Sequence, residues 1–402
     1  MLGASPDRSA AVKRLLAAAI PTLLFLACNE REATGPLPQN AASASASRTT
    51  PSDENEARAP GVTALTWNVY AGAEVERVLQ AQTPDEAVAI ATQEWANVQA
   101  TNFPARAGRI AADIAARRPH VVGLEEVALY RTTDRPFEEL ATRVAYDFVQ
   151  LVVDSLAARH VHYVAAAVDR TTDVQVPVIA GFDAAGQPIL AGVRYTDGDA
   201  VLVRSDVPYA NARSGRYAAN QPVNIGGAAT VVSQGWSSVA ASVDGRTYRF
   251  VATHLAGQEV QGIQVAQTQE LLALLAAESR PTILVGDFNS DVYGADPTRA
   301  TPTYPMVVAA GFADAWLARD RHGPGLTCCE QPDLKNPQAT FDQRIDFIFS
   351  RHLPRGTRVV RDDVFGDQQR DKAGDLWPSD HGGVSVTFAA SSSHASREYT
   401  GH

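Results

Sequence analysis

The sequence has few cysteines and no excess of basic charge. Its 402 residues include 3 cysteines, and 45 acidic residues against 35 basic ones give a formal net charge of −10. This charge balance does not indicate a cationic surface for nucleic acid or anionic lipid. The total charge does not exclude a local basic groove. No CxxC spacing is present, so the cysteines give little support to a metal site.

Several catalytic motifs are also missing. There is no GxSxG elbow, no HExxH sequence and no Walker loop, which disfavours a serine hydrolase, a zinc protease and a P-loop enzyme. At 45% hydrophobic and 20% charged residues, the composition is that of a globular protein with a large core.

The N-terminus has the pattern of an export signal. Arg8, Lys13 and Arg14 precede the apolar run 15–27, which Pro21 interrupts and which is short for a membrane span, so residues 1–27 are predicted to be a signal peptide. Leu26-Ala27-Cys28 resembles the lipobox of bacterial lipoproteins, in which the cysteine is acylated. We therefore expect an exported protein anchored in the cell envelope through Cys28. Ordinary secretion, with Cys28 discarded, is the alternative.

The remaining chain divides by composition. Residues 28–60 contain no aromatic residue and cannot bury a core, so we predict a disordered tether, and residues 391–402 form a similar polar tail. Residues 61–390 are the predicted folded body. The adjacent pair Cys328-Cys329 lies within it, and a vicinal disulfide, two packed thiols and metal ligands are all open, with a structural or incidental redox role favoured.

Within the body, short apolar runs alternate with amphipathic segments. The pattern predicts strands that end at Asn68 and at Glu125-Glu126, with a helix between them, and a single long helix over residues 137–160. Hairpins are predicted around Asp183–Gln187 and around Asp244-Gly245. A helix over 263–279, a strand over 281–289 and three final strands complete the prediction. This order favours two packed sheets flanked by helices.

Polar residues follow the predicted strands repeatedly. One of them alone is usually a turn residue, a helix cap or a hydrogen-bonded histidine, but a rigid scaffold holds catalytic groups best at strand ends. Asp346 lies inside an apolar strand and needs a partner, for which Arg344 and His381 are the candidates. The residues at the strand ends are Asn68, Glu126, His254, Asp287, Asn289, Asp346, Asp380 and His381.

These residue types suggest a reaction class. Clustered carboxylate and amide oxygens without paired cysteines suit a hard cation such as Mg²⁺, Mn²⁺ or Ca²⁺. Two histidines with carboxylate partners, beside such a cation, can orient water, hold a phosphoryl oxygen and protonate a leaving group.

The ordered segments Asp287-Phe288-Asn289, Arg344-Ile345-Asp346 and Ser379-Asp380-His381, with Asn68, Glu126 and His254, resemble the endonuclease/exonuclease/phosphatase superfamily. The resemblance extends from Gly61 to about Phe388. It implies a four-layered α/β sandwich, with two packed mixed β-sheets flanked by helices, and metal-dependent hydrolysis of a phosphoester by an in-line water.

The resemblance also implies residue roles. Glu126 would be the principal metal ligand, with Asn68 and Asp380 close by. Asp287 would orient or deprotonate the water, Asn289 would hold the phosphate, and Asp346 would fix His381 against the phosphoryl oxygens. His254 would be the second histidine found in the deoxyribonuclease and sphingomyelinase branches, and Glu125 would be in solvent or behind the ligands.

The substrate stays open between nucleic acid, a phospholipid head group and an inositol phosphate. Candidate phosphate-tracking residues are Arg194, Arg204, Arg213 and Arg216, and the hairpin around Phe182 is either a lipid-contacting loop or a packed insertion. The protein is expected to be a monomer. The alternative to an enzyme is a non-catalytic surface-binding lipoprotein that retains the fold.

Overall fold

The computed structural model describes residues 61–134, 137–293, 299–319 and 323–390. The predicted signal peptide, tether and tail lie outside these residues. Eighteen strands occur in the described parts of the chain: β1 (Gly61–Asn68), β2 (Val121–Glu125), β3 (Leu129–Thr133), β4 (Arg143–Asp147), β5 (Tyr163–Val168), β6 (Asp173–Phe182), β7 (Pro188–Thr196), β8 (Ala200–Arg204), β9 (Tyr209–Arg216), β10 (Gln221–Ile225), β11 (Ala228–Val232), β12 (Gly235–Val243), β13 (Arg246–His254), β14 (Thr282–Asp287), β15 (Ala313–Asp314), β16 (Asp346–Arg351), β17 (Thr357–Phe365) and β18 (Gly383–Ala390).

The helices lie mostly between the strands. They are α1 (Val75–Leu79), α2 (Pro84–Ala100), α3 (Phe103–Arg117), α4 (Phe148–Ala157), α5 (Gln261–Leu275) and α6 (Thr303–Ala309), with 3₁₀ turns at Gln258–Val260 and Gln369–Asp371. Within the described residues, no helix is long and apolar enough to cross a membrane.

Two six-stranded sheets form the centre of the molecule. The first has the order β17-β18-β1-β2-β8-β5, and the second has the order β15-β16-β14-β13-β12-β9. Each is mixed, because β1 pairs with β2 and β13 with β14 in parallel while the other pairs are antiparallel. A four-stranded sheet (β4-β3-β7-β6) and the hairpin β10-β11 are added outside this pair.

Alternating side chains of the central strands build two different cores. Val62 and Ala64 of β1 face the second sheet, where Phe250 and Ile283 meet them. Leu65 and Trp67 of the same strand face the opposite way, onto helices α2, α3 and α4. Because β1 is buried on both faces, its sequence does not show a strict alternation of apolar and polar residues.

The second sheet repeats this arrangement. Leu284 and Phe349 lie on its outer face and pack against Leu271 of α5 and Val307 of α6. The order of layers is therefore helices, sheet, sheet, helices, which is the predicted four-layered α/β sandwich with two mixed β-sheets.

Gly286 near the end of β14 allows a close approach of two backbones. Its φ is +142°, and a Cβ there would lie 1.8 Å from the carbonyl oxygen of Thr253 on β13. Only glycine fits this position without moving β13, so the sequence Gly286-Asp287 sets how closely the C-terminal end of β14 lies beside β13.

The predicted hairpins are confirmed, and the base of the first one is packed. The chain turns at Asp183–Gln187, where the Asp183 amide donates to the Gln187 carbonyl at 2.9 Å. Val178 and Val193 of this hairpin belong to the core, whereas Phe182 at the tip is 59% exposed. The insertion is thus packed at its base and open to solvent at its tip.

The single helix predicted over residues 137–160 is wrong. Residues 143–147 form β4, which pairs with β3, and the helix α4 begins only at Phe148. Asp147 ends the strand and caps the helix, because its Oδ1 accepts a hydrogen bond from the Gln150 amide at 3.1 Å. Pairing with β3 therefore overrides the helical pattern of residues 143–147.

Other elements were not predicted at all. Helix α2 was missed, although Thr83-Pro84-Asp85-Glu86 is a helix-start signal: the Thr83 hydroxyl accepts a hydrogen bond from the Glu86 amide at 3.2 Å. Strands β9, β10 and β11 were also missed. They are largely exposed and carry a weak hydrophobic pattern, so the sequence signal for them is small.

Candidate active site

The pairing register brings the predicted strand ends to one edge of the sandwich. Asn68 lies opposite Glu125 in the parallel pair β1-β2. Asp287 lies opposite His254 on one side and Asp346 on the other. Because β16 runs antiparallel to β14, the start of one strand meets the end of the other. Residues that are far apart in sequence therefore become neighbours through backbone pairing alone.

Asp287 is at the centre of this edge and is 2% exposed. Its Oδ2 lies 3.2 Å from Nδ2 of Asn68, 3.5 Å from Nε2 of His254 and 3.9 Å from Nε2 of His381. Its Oδ1 accepts the backbone N–H of Asn289 at 2.9 Å. Strand ends of both sheets therefore converge on one carboxylate.

Glu126 faces the same space from the loop after β2. It adopts a left-handed backbone with φ 56°, which turns its side chain back toward β1. Its Oε1 accepts a hydrogen bond from Nδ2 of Asn68 at 2.8 Å, and its Oε2 accepts the backbone N–H of Ala71 at 2.8 Å. Asn68 thus connects the carboxylates of Glu126 and Asp287.

Glu125 points away from solvent. It is fully buried, and its Oε1 accepts a hydrogen bond from the Thr66 hydroxyl at 2.9 Å. Burial, followed by the charge of Asp346, raises the pKa of Glu125 to about 8. Of the two positions expected for Glu125, solvent exposure is not found, because the strand alternation directs the carboxyl between the two sheets, behind the residues at the strand ends.

His381 is held by Asp346. Its Nδ1 lies 2.9 Å from Oδ2 of Asp346, and its carbonyl oxygen accepts the indole N–H of the buried Trp67 at 2.8 Å. Burial alone would lower the pKa of His381, but the charges of Asp346 and Asp380 outweigh it and raise the pKa well above the usual value. Burial raises the pKa of Asp346, against the effect of His381.

Arg344 is not the partner of Asp346. The Arg344 guanidinium pairs with another carboxylate instead. Its Nη2 lies 2.7 Å from Oδ2 of Asp314 on β15, and both side chains are buried there. Of the two alternatives left open by the sequence, the pairing of Asp346 with His381 is the one found.

His254 and Asn289 form a second polar pair. Nδ2 of Asn289 lies 3.1 Å from Nε2 of His254 and donates to the carbonyl of Leu255 at 2.9 Å. Burial would lower the pKa of His254, but Asp287, Glu126 and neighbouring carboxylates outweigh it and raise the pKa. Strand geometry does not continue to Asn289, whose φ is 48°, so this turn and not the pleat places it beside Asp287.

Asp380 precedes His381 in the loop before β18. Its Oδ1 accepts the Ser379 hydroxyl at 3.3 Å, and that hydroxyl also donates to the backbone carbonyl of Asn68 at 2.6 Å. Burial raises the pKa of Asp380 to about 7, His381 opposes this shift, and Glu126 adds to it. The effect of the Glu126 charge indicates that Asp380 lies near it.

Sequence reasoning missed Arg106, which holds the loops that carry these residues. It is fully buried in α3, and its guanidinium donates to the carbonyls of Val69, Tyr70, Thr101 and Pro378 at 2.7 to 3.0 Å. It thereby joins the loop after Asn68 to the loop before Asp380. Its position on the apolar face of α3 was the available signal, because an arginine there needs buried acceptors.

A group of carboxylates behind His254 was also missed. Oδ2 of Asp199 accepts the backbone N–H of His254 at 3.1 Å, and Oδ1 of Asp169 accepts the backbone N–H of Asp199 at 2.7 Å. Burial raises the pKa of Asp169 to about 7 and that of Asp197 to about 6. The sequence Asp197-Gly198-Asp199, at the start of an apolar strand, was a usable signal.

Three of the four candidate phosphate-tracking arginines make contacts within the fold. Arg194 pairs with Asp173 in a buried position, Arg204 pairs with Asp206, and Nε of Arg216 donates to the carbonyl of Arg170. The guanidinium groups of these three side chains therefore already have acceptors within the fold.

The donor set suits a divalent cation. Among the described residues, Oδ1 of Asp346 and Oε2 of Glu125 are buried without a hydrogen-bond partner. Besides burial, the charge of Asp346 raises the pKa of Glu125, and the charge of Glu126 raises the pKa of Asp380. A cation would relieve this repulsion, and oxygen ligands favour a hard one. Within the described residues, Asp287, Asp346 and His381 offer ligand atoms within 4.8 Å of one another. Glu126, Asn68 and Asp380 stay predicted ligands.

A four-layered sandwich with carboxylates, amides and two histidines at one edge defines a class of phosphoester hydrolase. The chain belongs to the Endonuclease/Exonuclease/phosphatase family, whose sequence profile matches residues 65–381. No curated protein sequence matches the chain significantly.

Several solved structures are similar to this one. A family protein from Leptotrichia buccalis C-1013-b has 16% identity and a TM-score of 0.49, covering 81% of this chain and 99% of its own. A mannosyl-6-phosphatase from Bacteroides thetaiotaomicron VPI-5482 has 17% identity and a TM-score of 0.45, covering 81% and 99%. D. rerio TDP2 complexed with a single strand DNA product has 15% identity and a TM-score of 0.47, covering 82% and 98%.

Proposed function

We propose that this protein hydrolyses a phosphoester, a phosphodiester or a phosphomonoester, with the help of a divalent cation and an attacking water. The observation that supports this most directly is the environment of Asp287, which contacts Asn68, His254 and His381 within 3.9 Å at a buried strand end. A carboxylate between two imidazoles can orient water and take up its proton.

The other residues are proposed to act on the phosphoryl group. His381, held by Asp346, would donate hydrogen bonds to phosphoryl oxygens, since its raised pKa favours the protonated ring. Nδ2 of Asn289 and Nε2 of His254 would contact the phosphate from the other side. The cation would be held by Glu126 and Asp380, and by Oδ1 of Asn68 once its side-chain amide turns from the orientation in which Nδ2 donates to Glu126 and Asp287. It would supply charge neutralisation and Lewis acidity.

The test compares metals, chelator and variants on one substrate pair. The full chain is assayed on bis-p-nitrophenyl phosphate and p-nitrophenyl phosphate with Mg²⁺, Mn²⁺ or Ca²⁺, and with EDTA. We expect activity with at least one cation, and a loss of about 10²-fold or more in kcat for Asp287→Ala and His381→Ala. His162→Ala, an exposed histidine, is the matched control.

Two results would contradict the proposal. One is activity that persists in EDTA or in both site variants. The other is cation binding without hydrolysis on either substrate, or on a panel of DNA, RNA, sphingomyelin, phosphatidylinositol and inositol phosphates. The second result would support a non-catalytic surface-binding lipoprotein instead, and the panel otherwise identifies the substrate class.

We also propose that the chain is exported and anchored at Cys28, from the charged and apolar pattern of residues 1–28. The test is mass spectrometry of the mature N-terminus and fractionation of cells that express the wild type or Cys28→Ala. An acylated N-terminal cysteine in the membrane fraction is expected. An unmodified N-terminus downstream of Cys28 would contradict the anchor.

A further inference from the structure

The segment Thr327–Glu330 is attached directly to the loop that carries Asp380 and His381. The Gly382 amide donates to the carbonyl of Thr327 at 2.7 Å, and the Glu330 amide donates to the carbonyl of Asp380 at 2.8 Å. Cys328 forms an isolated antiparallel bridge with His381. The adjacent cysteines are thus fixed beside His381 by backbone hydrogen bonds on both sides.

The Cys328–Cys329 pair and one histidine form a compact group of possible ligands. The two sulfur atoms and a ring nitrogen of His381 lie within 4.8 Å of one another. The sulfurs are joined as a vicinal disulfide. Cys328 is 1% exposed, whereas Cys329 is partly exposed, so reagents in solution can reach the pair from one side.

The chemistry of this group differs from that of the rest of the site. The carboxylate and amide oxygens around Asp287 suit a hard cation, but two thiolates and an imidazole are ligands for a soft or borderline cation such as Zn²⁺ or Cd²⁺. Three protein ligands and one water would complete four-coordinate geometry. The group is therefore suited to a cation of another class than the one proposed for catalysis.

We propose that Cys328, Cys329 and His381 form an inhibitory binding site for a soft divalent cation, which opens when the disulfide is reduced. Reduction by a phosphine transfers two electrons to the disulfide, and water supplies two protons for the thiols and the oxygen of the phosphine oxide. Binding of one cation then replaces the two thiol protons, which go to the buffer.

The inhibitory effect rests on the proposed function of His381. One ring nitrogen of His381 lies 2.9 Å from Asp346 and the other lies 3.9 Å from Asp287. Whichever nitrogen binds the soft cation, the ring loses one of these two contacts. A cation on Nε2 would occupy the nitrogen that faces Asp287 and the proposed phosphoryl position, and a cation on Nδ1 would replace Asp346, which orients the ring. Either mode of binding disturbs the proposed role of His381.

The test measures cation binding before activity, so that failure of the soft-cation site can be distinguished from failure of the proposed phosphoesterase function. The full chain with Cys28→Ser, which leaves Cys328 and Cys329 as its cysteines, is titrated with CdCl₂ in its disulfide form and after phosphine reduction. The readout is the ultraviolet thiolate-to-cadmium charge-transfer absorption. We expect one Cd²⁺ per reduced chain and no such band for the disulfide form.

Variants then assign the ligands. Because loss of an outer partner already costs about 10–100-fold in metal affinity, Cys329→Ser and His381→Ala are expected to weaken Cd²⁺ binding by at least tenfold. His381→Gln checks that the alanine result is not a folding defect. His254→Ala, the other site histidine, is the matched control and should retain full affinity.

Activity completes the experiment. With saturating Mg²⁺, one equivalent of Cd²⁺ should abolish phosphoester hydrolysis by the reduced chain and leave the disulfide form unaffected. The Cys329→Ser chain should be insensitive to that Cd²⁺ when compared with its own cadmium-free sample. Absence of the charge-transfer band in the reduced chain, or a Cd²⁺ affinity in both His381 variants equal to that of the chain with His381 intact, overturns the three-residue site whether or not the chain is an active phosphoesterase.

Discussion

Nδ1 of His381 lies 2.9 Å from Oδ2 of Asp346, although 34 residues separate them in the chain. The carboxylate fixes the ring orientation and favours its protonated form, and no described residue donates a hydrogen bond to the second oxygen of Asp346. The pair is therefore both a structural element and a means of setting the charge of His381.

Replacing Asp346 with asparagine should preserve the shape and remove the charge. Because a neutral amide holds the ring less well and no longer raises the pKa of His381, we expect kcat to fall by about 10²–10⁴-fold. The alkaline limb of the pH–rate profile should move to lower pH. Asp342→Asn, at an exposed position four residues before Asp346, is the control. An unchanged pH–rate profile in Asp346→Asn would contradict the role of the Asp346–His381 pair.

Gly286 should not tolerate any side chain. At φ +142° and with a Cβ 1.8 Å from the Thr253 carbonyl, Gly286→Ala must displace β13 or β14, so we expect a loss of ~3 kcal/mol or more in unfolding free energy. Gly108→Ala, with no atom near its Cβ in α3, should instead add ~1 kcal/mol. Urea unfolding of both variants tests this, and equal effects would refute the close approach.

Arg106 should matter for stability and for cation binding together. Arg106→Lys keeps the charge but cannot donate to four carbonyls at once, so we expect a loss of ~3 kcal/mol and weaker binding of Mg²⁺, because the loops after Asn68 and before Asp380 separate. Arg109→Lys, which alters a partly exposed ion pair with Asp113 on the same helix and a longer contact with Asp371, should cost less than ~1 kcal/mol. Urea unfolding and calorimetric titration with Mg²⁺ measure the two effects, and unchanged Mg²⁺ affinity in Arg106→Lys would limit its role to stability.

The carboxylates behind His254 should make the metal-free protein less stable as pH rises. Burial raises the pKa of Asp169 to about 7, above the unfolded value of ~4, so the folded state holds the proton more tightly and stability is lost as pH rises from about 4 to 7. Asp169→Asn should remove part of this dependence and stabilise the fold more at pH 8 than at pH 5. Unfolding in EDTA at both values tests the sign, with Asp244→Asn in an exposed turn as the control.

Much of the fold was predictable because buried strands and amphipathic helices leave periodic patterns. Strand β14 and the helices α3 and α5 followed from apolar runs and spacing alone. The segment 143–147 did not, because its pairing with β3 depends on a partner outside the segment. Long-range pairing of this kind has no local signature.

The candidate site likewise has features that the sequence predicts and features that depend on long-range packing. The residue types and the order of Asn68, Glu126, His254, Asp287, Asn289, Asp346, Asp380 and His381 were sufficient to predict one site and its chemical class. The partner of Asp346, the burial of Glu125 and the four carbonyl contacts of Arg106 required coordinates.

The sequence by itself determined the strands that carry the candidate site, the helices α3 and α5, the family and the set of polar groups, because these depend on local periodicity and on residue chemistry. Only the tertiary structure decided which groups touch, how far Asp287 lies from each histidine, and that the cysteine pair lies against His381. The physical reason is that strand register and loop closure set these distances, and both depend on the simultaneous packing of the two sheets.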